Sequence, residues 1–293
     1  MDVAAVINRL GGIATKAELA AFGISGFDLT AAVRRGQIRR VRRAHYATPA
    51  APWDAVLAVR VGGRLAGISA AKSYGLWAGF DERLHIAVPA NASRLRTTYA
   101  PSFSDEVTPD ISDRETILHW TAPPVAASEC WRVSAKDALL QVLDWADAET
   151  AIACLDSART VLGWTDHDIH ELFANEPARP RARAALSRPG SDSGPESVVR
   201  QRLLAAGIHV DQQVQIPDVG RVDMVVQGAR VAIEVDSRTY HSDPESFEND
   251  RRRGAELLAI GYADIRLSFK QIFGDWPWCL AKVEGAITVF RNV

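Results

Sequence analysis

The sequence predicts a multidomain α/β (α+β) chain, and three features carry that prediction. The first fifty residues read as short helices followed by a basic ribbon. Residues 176–195 hold four prolines and a Gly-Ser-Asp-Ser-Gly stretch. After them the apolar pattern switches between helical and strand periods in the order α-β-β-β-α-β-α. A length of 293 residues suits about two domains, or one with appendages. A hydrophobic fraction of 47% is that of a globular chain able to bury a sizeable core.

Taken in order, residues 2–10 form a helix stopped by Gly11-Gly12. Thr15 with Glu18 three residues on is a capping-box pattern, opening a helix to about Phe22. Ser25 or Gly26 opens a third helix, with Leu29, Ala32 and Val33 on one face and Gly36 at its end. Ile38 to Pro49 alternates loosely, as a β-ribbon does. Three short helices and a ribbon make a winged helix-turn-helix over residues 1–52. The net charge of the whole is -2, yet in residues 1–50 eight basic residues face three acidic ones. A basic head on an acidic chain fits a partner met at the head. Arg34 and Arg35 on the third helix, with Arg39, Arg40, Arg42 and Arg43 on the ribbon, are the residues placed to neutralise phosphates. A solvated basic ribbon or a protein-binding surface is the alternative.

Residues 53–175 read as a mixed α/β middle region without a chemical motif. Helices are predicted over Val56–Val61, Leu65–Ser73, from a Ser134 cap to Trp145, over 148–162 and over Asp166–Phe173; strands over Leu84–Pro89 and Ile117–Trp120. His167, Asp168 and His170 have the spacing of a polar helix face and lack a fourth ligand. The eight Trp do not interleave with basic residues as a base-stacking platform would. Residues 176–194 read as a linker, and 195–293 as the last domain.

The N-terminal Asp2 stands where a signal peptide carries a base, and no apolar run reaches membrane-spanning length. Cys130, Cys154 and Cys279 are sparse and odd in number, which speaks for a reducing, cytoplasmic setting and against structural zinc. No membrane partner is expected. No phosphate-cradling glycine loop or serine nucleophile elbow is present.

The segment Arg221-Val-Asp-Met-Val-Val-Gln-Gly-Ala-Arg-Val-Ala-Ile-Glu-Val-Asp236 concentrates the chemistry. A two-residue turn at Gly228-Ala229 pairs Gln227 with Arg230 and sets Asp223 opposite Glu234. Alternation then gathers Asp223, Val225, Ala232, Glu234 and Asp236 on one face, and Val222, Met224, Val226, Val231, Ile233 and Val235 on an apolar one. Facing carboxylates repel, and a hard divalent cation such as Mg²⁺ relieves the repulsion and activates water or a phosphoryl group. A solvated acidic face is the competing reading. Glu196 lies in the first turn of the preceding helix. Arg253, Leu257 and Gly261 follow Asp250 at spacings that share one helix face.

Glu196, Asp223, Glu234-Val-Asp236, His241 and Asp250-x-x-Arg-x-x-x-Leu-x-x-x-Gly261 together resemble the very-short-patch-repair-like (Vsr-like) branch of the PD-(D/E)XK endonuclease superfamily over about 193–292. The resemblance implies a restriction-endonuclease-like mixed sheet flanked by helices and a Mg²⁺-dependent nuclease, with Mn²⁺ as a substitute. It implies that Asp223, Glu234 and Glu196 hold or orient the metal, and that His241 is a general base or leaving-group acid. Arg253 or Arg266 would position a phosphate or bind an acid. The superfamily's lysine two residues past the second acid is Asp236 here, and the glycine common after it is Ser237. Lys270 is a candidate replacement from elsewhere in the chain, but it reads as a surface lysine.

Residues 5–50 resemble the winged-helix domain of AbiEi-type type IV toxin–antitoxin antitoxins, through Ile13-Ala-Thr-Lys-Ala-Glu-Leu, Leu29-Thr-Ala-Ala-Val-Arg-Arg-Gly and Ala44-His-Tyr. Gly67-Ile-Ser-Ala-Ala and His85-Ile-Ala-Val-Pro resemble the domain that usually follows. The expected function is a metal-dependent endonuclease acting on double-stranded DNA docked by the head. The alternatives are an antitoxin-like DNA-binding regulator with an inert nuclease core, and a toxin-like nuclease acting on DNA or RNA, each with a toxin–antitoxin partner protein.

Overall fold

The computed structural model describes residues 2–93, 95–96, 115–121, 129–236 and 244–291, with backbone alone over 244–250. Contacts divide the chain into two compact units, Met1–Ala146 and Asp147–Val293.

The first unit opens with α1 (Val3–Arg9), β1 (Ile13–Thr15), α2 (Lys16–Ala21), α3 (Gly26–Arg34), β2 (Arg39–Arg42) and β3 (His45–Ala47). The predicted capping box forms. The Thr15 hydroxyl accepts from the Glu18 N–H at 3.2 Å, and Glu18 accepts in return from the Thr15 N–H at 2.7 Å. Ser25 and Asp28 repeat the device on α3. Together such caps satisfy N–H groups that a helix start leaves without partners. Val6, Ile7, Leu19, Leu29 and Ile38 fill the core between the three helices. The strands run antiparallel in the order β1-β3-β2; β1, only three residues long, carries no strand signal in the sequence.

The unit continues with α4 (Trp53–Val61), β4 (Arg64–Leu65), α5 (Gly67–Ser73), β5 (Leu84–Pro89), β6 (Thr116–Thr121) and α6 (Ala135–Trp145). A second sheet has the order β4-β5-β6, with β5 and β6 parallel. One apolar cluster joins Ile13, Val41 and Ala47 of the head to Val56, Leu57, Leu84, Ile86 and Trp131. Packing is therefore continuous across the boundary expected at residue 52. Between the helices and β5–β6 runs a chain of polar groups. Arg83 clamps Asp81 through Nε and Nη2, Asp81 Oδ2 lies 3.2 Å from His85 Nε2, and His85 Nδ1 lies 3.1 Å from His119 Nε2. His119 stacks on Trp145 at a ring separation of 3.7 Å.

The second unit begins earlier than the sequence suggests, with α7 (Ala148–Leu162), α8 (Asp166–Phe173), α9 (Ala178–Ala184) and α10 (Gly194–Ala205). The stretch read as a linker, 176–194, carries α9 and ends in buried Ser187 and Ser191. Pro177, Pro189 and Gly190 belong to tight connections between packed helices, while Pro180 lies in α9 and Gly194 starts α10. Asp156, 2% exposed, explains the arrangement. Its carboxylate accepts from the Ser187 hydroxyl at 2.7 Å, the Arg188 N–H at 2.8 Å, the Ser197 hydroxyl at 2.6 Å and Arg200 Nη2 at 2.8 Å. One buried charge thus ties α7, the end of the supposed linker and α10 together. Arg202 reinforces α10 from its other end by a two-point pairing with Glu149 and a bond to the Ile272 carbonyl.

The sheet of this unit comprises β7 (Val210–Ile216), β8 (Gly220–Val226), β9 (Val231–Asp236) and, after α11 (Pro244–Ala259), β10 (Ala263–Ser268); α12 (Phe269–Gly274) and α13 (Trp276–Val289) complete it. Its order is β10-β9-β8-β7, antiparallel except for the parallel β9–β10 pair that α11 connects. The predicted apolar face is buried throughout: Val222, Met224, Val231 and Ile233 are fully covered. Each such side chain contributes about 1.5–3 kcal/mol. The β8–β9 register, Met224↔Ile233 and Val225↔Ala232, is the predicted one. The turn differs. The Ala229 N–H bonds the Val226 carbonyl, placing Gly228 (φ 77) third of four residues, where a type II turn needs a positive φ. Arg230 then bonds the Phe290 carbonyl instead of Gln227. The short α12, capped by Ser268 and Gln271, has no counterpart in the sequence reading.

Candidate active site

Glu196 sits in the first turn of α10, where Ser193 is the cap and Pro195 opens the helix. It is 4% exposed, and both oxygens are engaged: Oε1 accepts from the Ser193 hydroxyl at 2.7 Å, and Oε2 from the Asp192 N–H at 2.9 Å and Gln213 Nε2 at 3.0 Å. Burial raises its pKa, and the Asp223 charge adds to the rise against the hydrogen bonds.

Asp223 on β8 accepts from the Val235 N–H at 2.8 Å across the ladder. Glu234 on β9 lies within the same field. Burial first, then the Asp223 charge, push its carboxyl up to about 7, while Arg253 pulls the other way. Glu234 Oε1 is 2.6 Å from Arg253 Nη2, an ion pair without hydrogen-bond alignment. Arg253 Nη2 also donates to the Arg221 carbonyl. Arg253 thus reaches Glu234 and β8 from α11. Leu257 packs with Ala232 and Val225 on this face.

β10 adds a pair that sequence reasoning missed in part. Arg266 is the register partner of Glu234, and Arg266 Nε donates to Asp264 Oδ2 at 3.1 Å. Asp264 also contributes to the raised pKa of Glu234. Gly254 in the middle of α11 is explained here: a Cβ at that position would stand 2.9 Å from Asp264 Oδ2. A glycine inside a helix, costly by propensity, is the sequence signal that a polar group approaches. Gln213 is a second residue missed; mid-strand glutamines carry no motif.

Asp236 lies exposed at the end of β9 and Lys270 is exposed on α12. His241, like Ser237, lies outside the described residues, and so does the side chain of Asp250. In the head, Arg34, Arg35, Arg40 and Arg43 are exposed. Arg39 and Arg42 are half-buried and serve the fold: Arg42 Nη1 donates to the Val61 carbonyl at 3.1 Å, and the Arg39 guanidinium stands 5.1 Å over the Trp53 ring. The β2 register shift between Arg40 and Arg42 lets Arg39 and Arg42, three residues apart, both reach α4.

Residues 196–287 match the family described as REase_MTES_1575. The C-terminal region resembles a restriction endonuclease. The match spans about a third of the chain and coincides with the mixed sheet and its flanking helices, as a PD-(D/E)XK-like fold requires. No curated protein matches the sequence.

Among the described residues no three His, Cys, Asp or Glu side chains stand together in metal-holding geometry. The donor chemistry nonetheless fits a hard divalent ion. Mg²⁺ is commonly held by only one or two carboxylates, its remaining positions going to water and phosphate oxygens. Asp223 and Glu234 are two such carboxylates on neighbouring strands, and after burial the Asp223 charge is the next cause of the raised Glu234 pKa. None of the described helices is long and apolar enough to cross a membrane. Cys130, Cys154 and Cys279 are free and buried.

Proposed function

We propose that the protein is a metal-dependent endonuclease that hydrolyses phosphodiester bonds in DNA, with the head docking double-stranded DNA as a winged helix. What supports this is that the Asp223 charge acts on both Glu196 and Glu234, inside the region that matches a restriction-endonuclease family.

Asp223 and Glu234 would hold Mg²⁺ or Mn²⁺, with Glu196 orienting the shell from α10. A bound ion supplies polarisation of a phosphoryl oxygen and a lower pKa for the attacking water. The chain's own groups do the rest. Arg253 and Arg266 lie beside Glu234 and offer guanidinium forks to a phosphate when a cation takes their place on the acid. His241 is the proposed proton-transfer group, since position 236 holds an acid. The Vsr-like branch and the AbiEi-type head belong to this proposal through the motifs given above. Arg34, Arg35, Arg40 and Arg43 of the head, all exposed, would contact phosphates and contribute affinity rather than sequence choice.

One observation favours a second reading. The Arg253 guanidinium already stands against Glu234 as its ion-pair partner. An inert core of this kind suits an antitoxin-like regulator, cytoplasmic and partnered with a toxin, in which the head alone acts. A cleavage panel decides. Duplex, mismatched and single-stranded DNA and RNA are incubated with Mg²⁺, Mn²⁺ or chelator. Metal-dependent cutting of DNA that is lost in Asp223→Asn supports the nuclease. Duplex binding without cutting of any substrate supports the regulator, and RNA cutting supports a toxin-like nuclease.

A further inference from the structure

Gln213 adopts a backbone conformation that its residue type avoids. Its φ is 52°, in the left-handed region, in the middle of β7. Side-chain-bearing residues hold such angles where the surroundings over-determine them, and these positions gather at functional sites. The flanking pairs Gln212↔Met224 and Val214↔Val222 put Gln213 opposite Asp223. Its amide is used in part. Nε2 donates to Glu196 Oε2 at 3.0 Å, whereas Oε1 is buried and has no hydrogen-bond partner among the described residues. A buried amide oxygen without a donor is unfavourable, and in a native protein it calls for a reason.

One side chain therefore touches one acid of the candidate site, stands opposite a second across the ladder, and carries an unused neutral oxygen. Amide oxygens are hard ligands of the class that divalent cations and their waters accept. We propose that Gln213 is a further member of the metal-binding set: Nε2 fixes Glu196, and Oε1 serves the coordination shell of the divalent cation held at Asp223. This rests on the metal-dependent nuclease reading and adds to it a residue that the acidic motif does not contain.

The test is Mn²⁺ binding to the full chain without substrate, followed by titration calorimetry. It uses the wild type, Gln213→Gly, Gln213→Glu and Asp223→Asn, each checked for folding by circular dichroism. Glycine adopts a positive φ without strain, so Gln213→Gly removes the amide while leaving the strand its shape. Should it fail to fold, Gln213→Met replaces it, keeping volume without the oxygen. The expected result is about tenfold weaker Mn²⁺ binding in Gln213→Gly, as for other groups that support a metal's ligands. Gln213→Glu, which keeps an oxygen at the same place, should bind at least as tightly as the wild type. Unchanged affinity in Gln213→Gly overturns the proposal. So does weaker binding in Gln213→Glu than in Gln213→Gly, which would make the amide only a brace for Glu196. A wild type that binds no Mn²⁺ overturns the metal-nuclease reading itself and this proposal with it; loss of binding in Asp223→Asn alone leaves that reading standing.

Discussion

Around the parallel β5–β6 pair, the ionisable groups answer one another. Arg83 holds Asp81 well below the usual carboxylate range, Asp81 meets His85, His85 meets His119, and His119 is closed off by the Trp145 ring. Around β8, β9 and β10 the opposite holds. Asp223, Glu234 and Asp264 share a face, and Glu234 is pushed up to about 7 by burial and by its neighbours. The first network is closed and needs nothing from outside. The second sets Arg253 and Arg266 against Glu234 and Asp264, yet Glu234 stays raised, and half-buried groups so perturbed gather at functional sites. The contrast separates a structural polar chain from a candidate active site, although both are built from half-buried titratable side chains.

The sharpest way to break this contrast is Asp223→Asn. The amide keeps an acceptor for the Val235 N–H but removes a charge, so stability should hold or rise. Cleavage should fall roughly a thousandfold, since Lewis-acid stabilisation is worth several kcal/mol and about 1.4 kcal/mol is tenfold in rate. Parallel assays of cleavage and urea unfolding check both halves, and a large stability loss would remove Asp223 from the strained set. Asp156→Ala is the counter-case. It leaves Arg200 buried without its partner and should cost about 3–5 kcal/mol in urea unfolding. A loss under about 1 kcal/mol would mean that the α7–α10 tie is incidental.

Smaller effects sharpen the comparison in the head. Arg42→Ala should cost about 1–2 kcal/mol of stability through the lost Val61 carbonyl bond. Arg40→Ala and Arg43→Ala should leave stability alone and each lower the salt slope of duplex binding by about 0.9. Equal behaviour of all three would erase the distinction between structural and contact arginines.

The last expected effect concerns pH. Burial first, and then His85, lower the pKa of His119 to about 4 from an unfolded value near 6.5, and His85 is lowered as well. The unfolded chain then binds more protons than the folded one between those values. Stability from this pair is present above about 6.5 and is lost as pH falls toward 4. Unfolding midpoints across that window should decline, and His119→Gln should flatten the decline. A slope unchanged in the variant would show that His119 is not a closed-off neutral group.

Much of this was legible beforehand, and the reasons differ by element. The Thr15–Glu18 box, the Ser134 cap and the strand Val231–Asp236 are local patterns, set by neighbours in sequence, and they appear where predicted. The β8–β9 register at Met224 and Val225 follows from alternation and a short connection, and it survives even though the turn closes one residue earlier than expected. The linker reading of 176–194 failed to anticipate a packed helix, because composition there reflects tight connections and the organising charge, Asp156, lies far away in the chain. The half-burial of Arg39 and Arg42 depends on a register shift that no single residue announces.

By itself the sequence determined the alternation of apolar and acidic positions on β8 and β9 and the caps of the helices, because periodicity and capping are properties of contiguous residues. Only the tertiary structure decided that Arg253 pairs with Glu234, that Asp264 joins the acids, that Gly254 makes room for it, and that Gln213 bends its strand to reach Glu196. Those relations join groups from separate elements, and their energies come from burial and charge proximity, which exist only once the sheet and its helices have closed on each other.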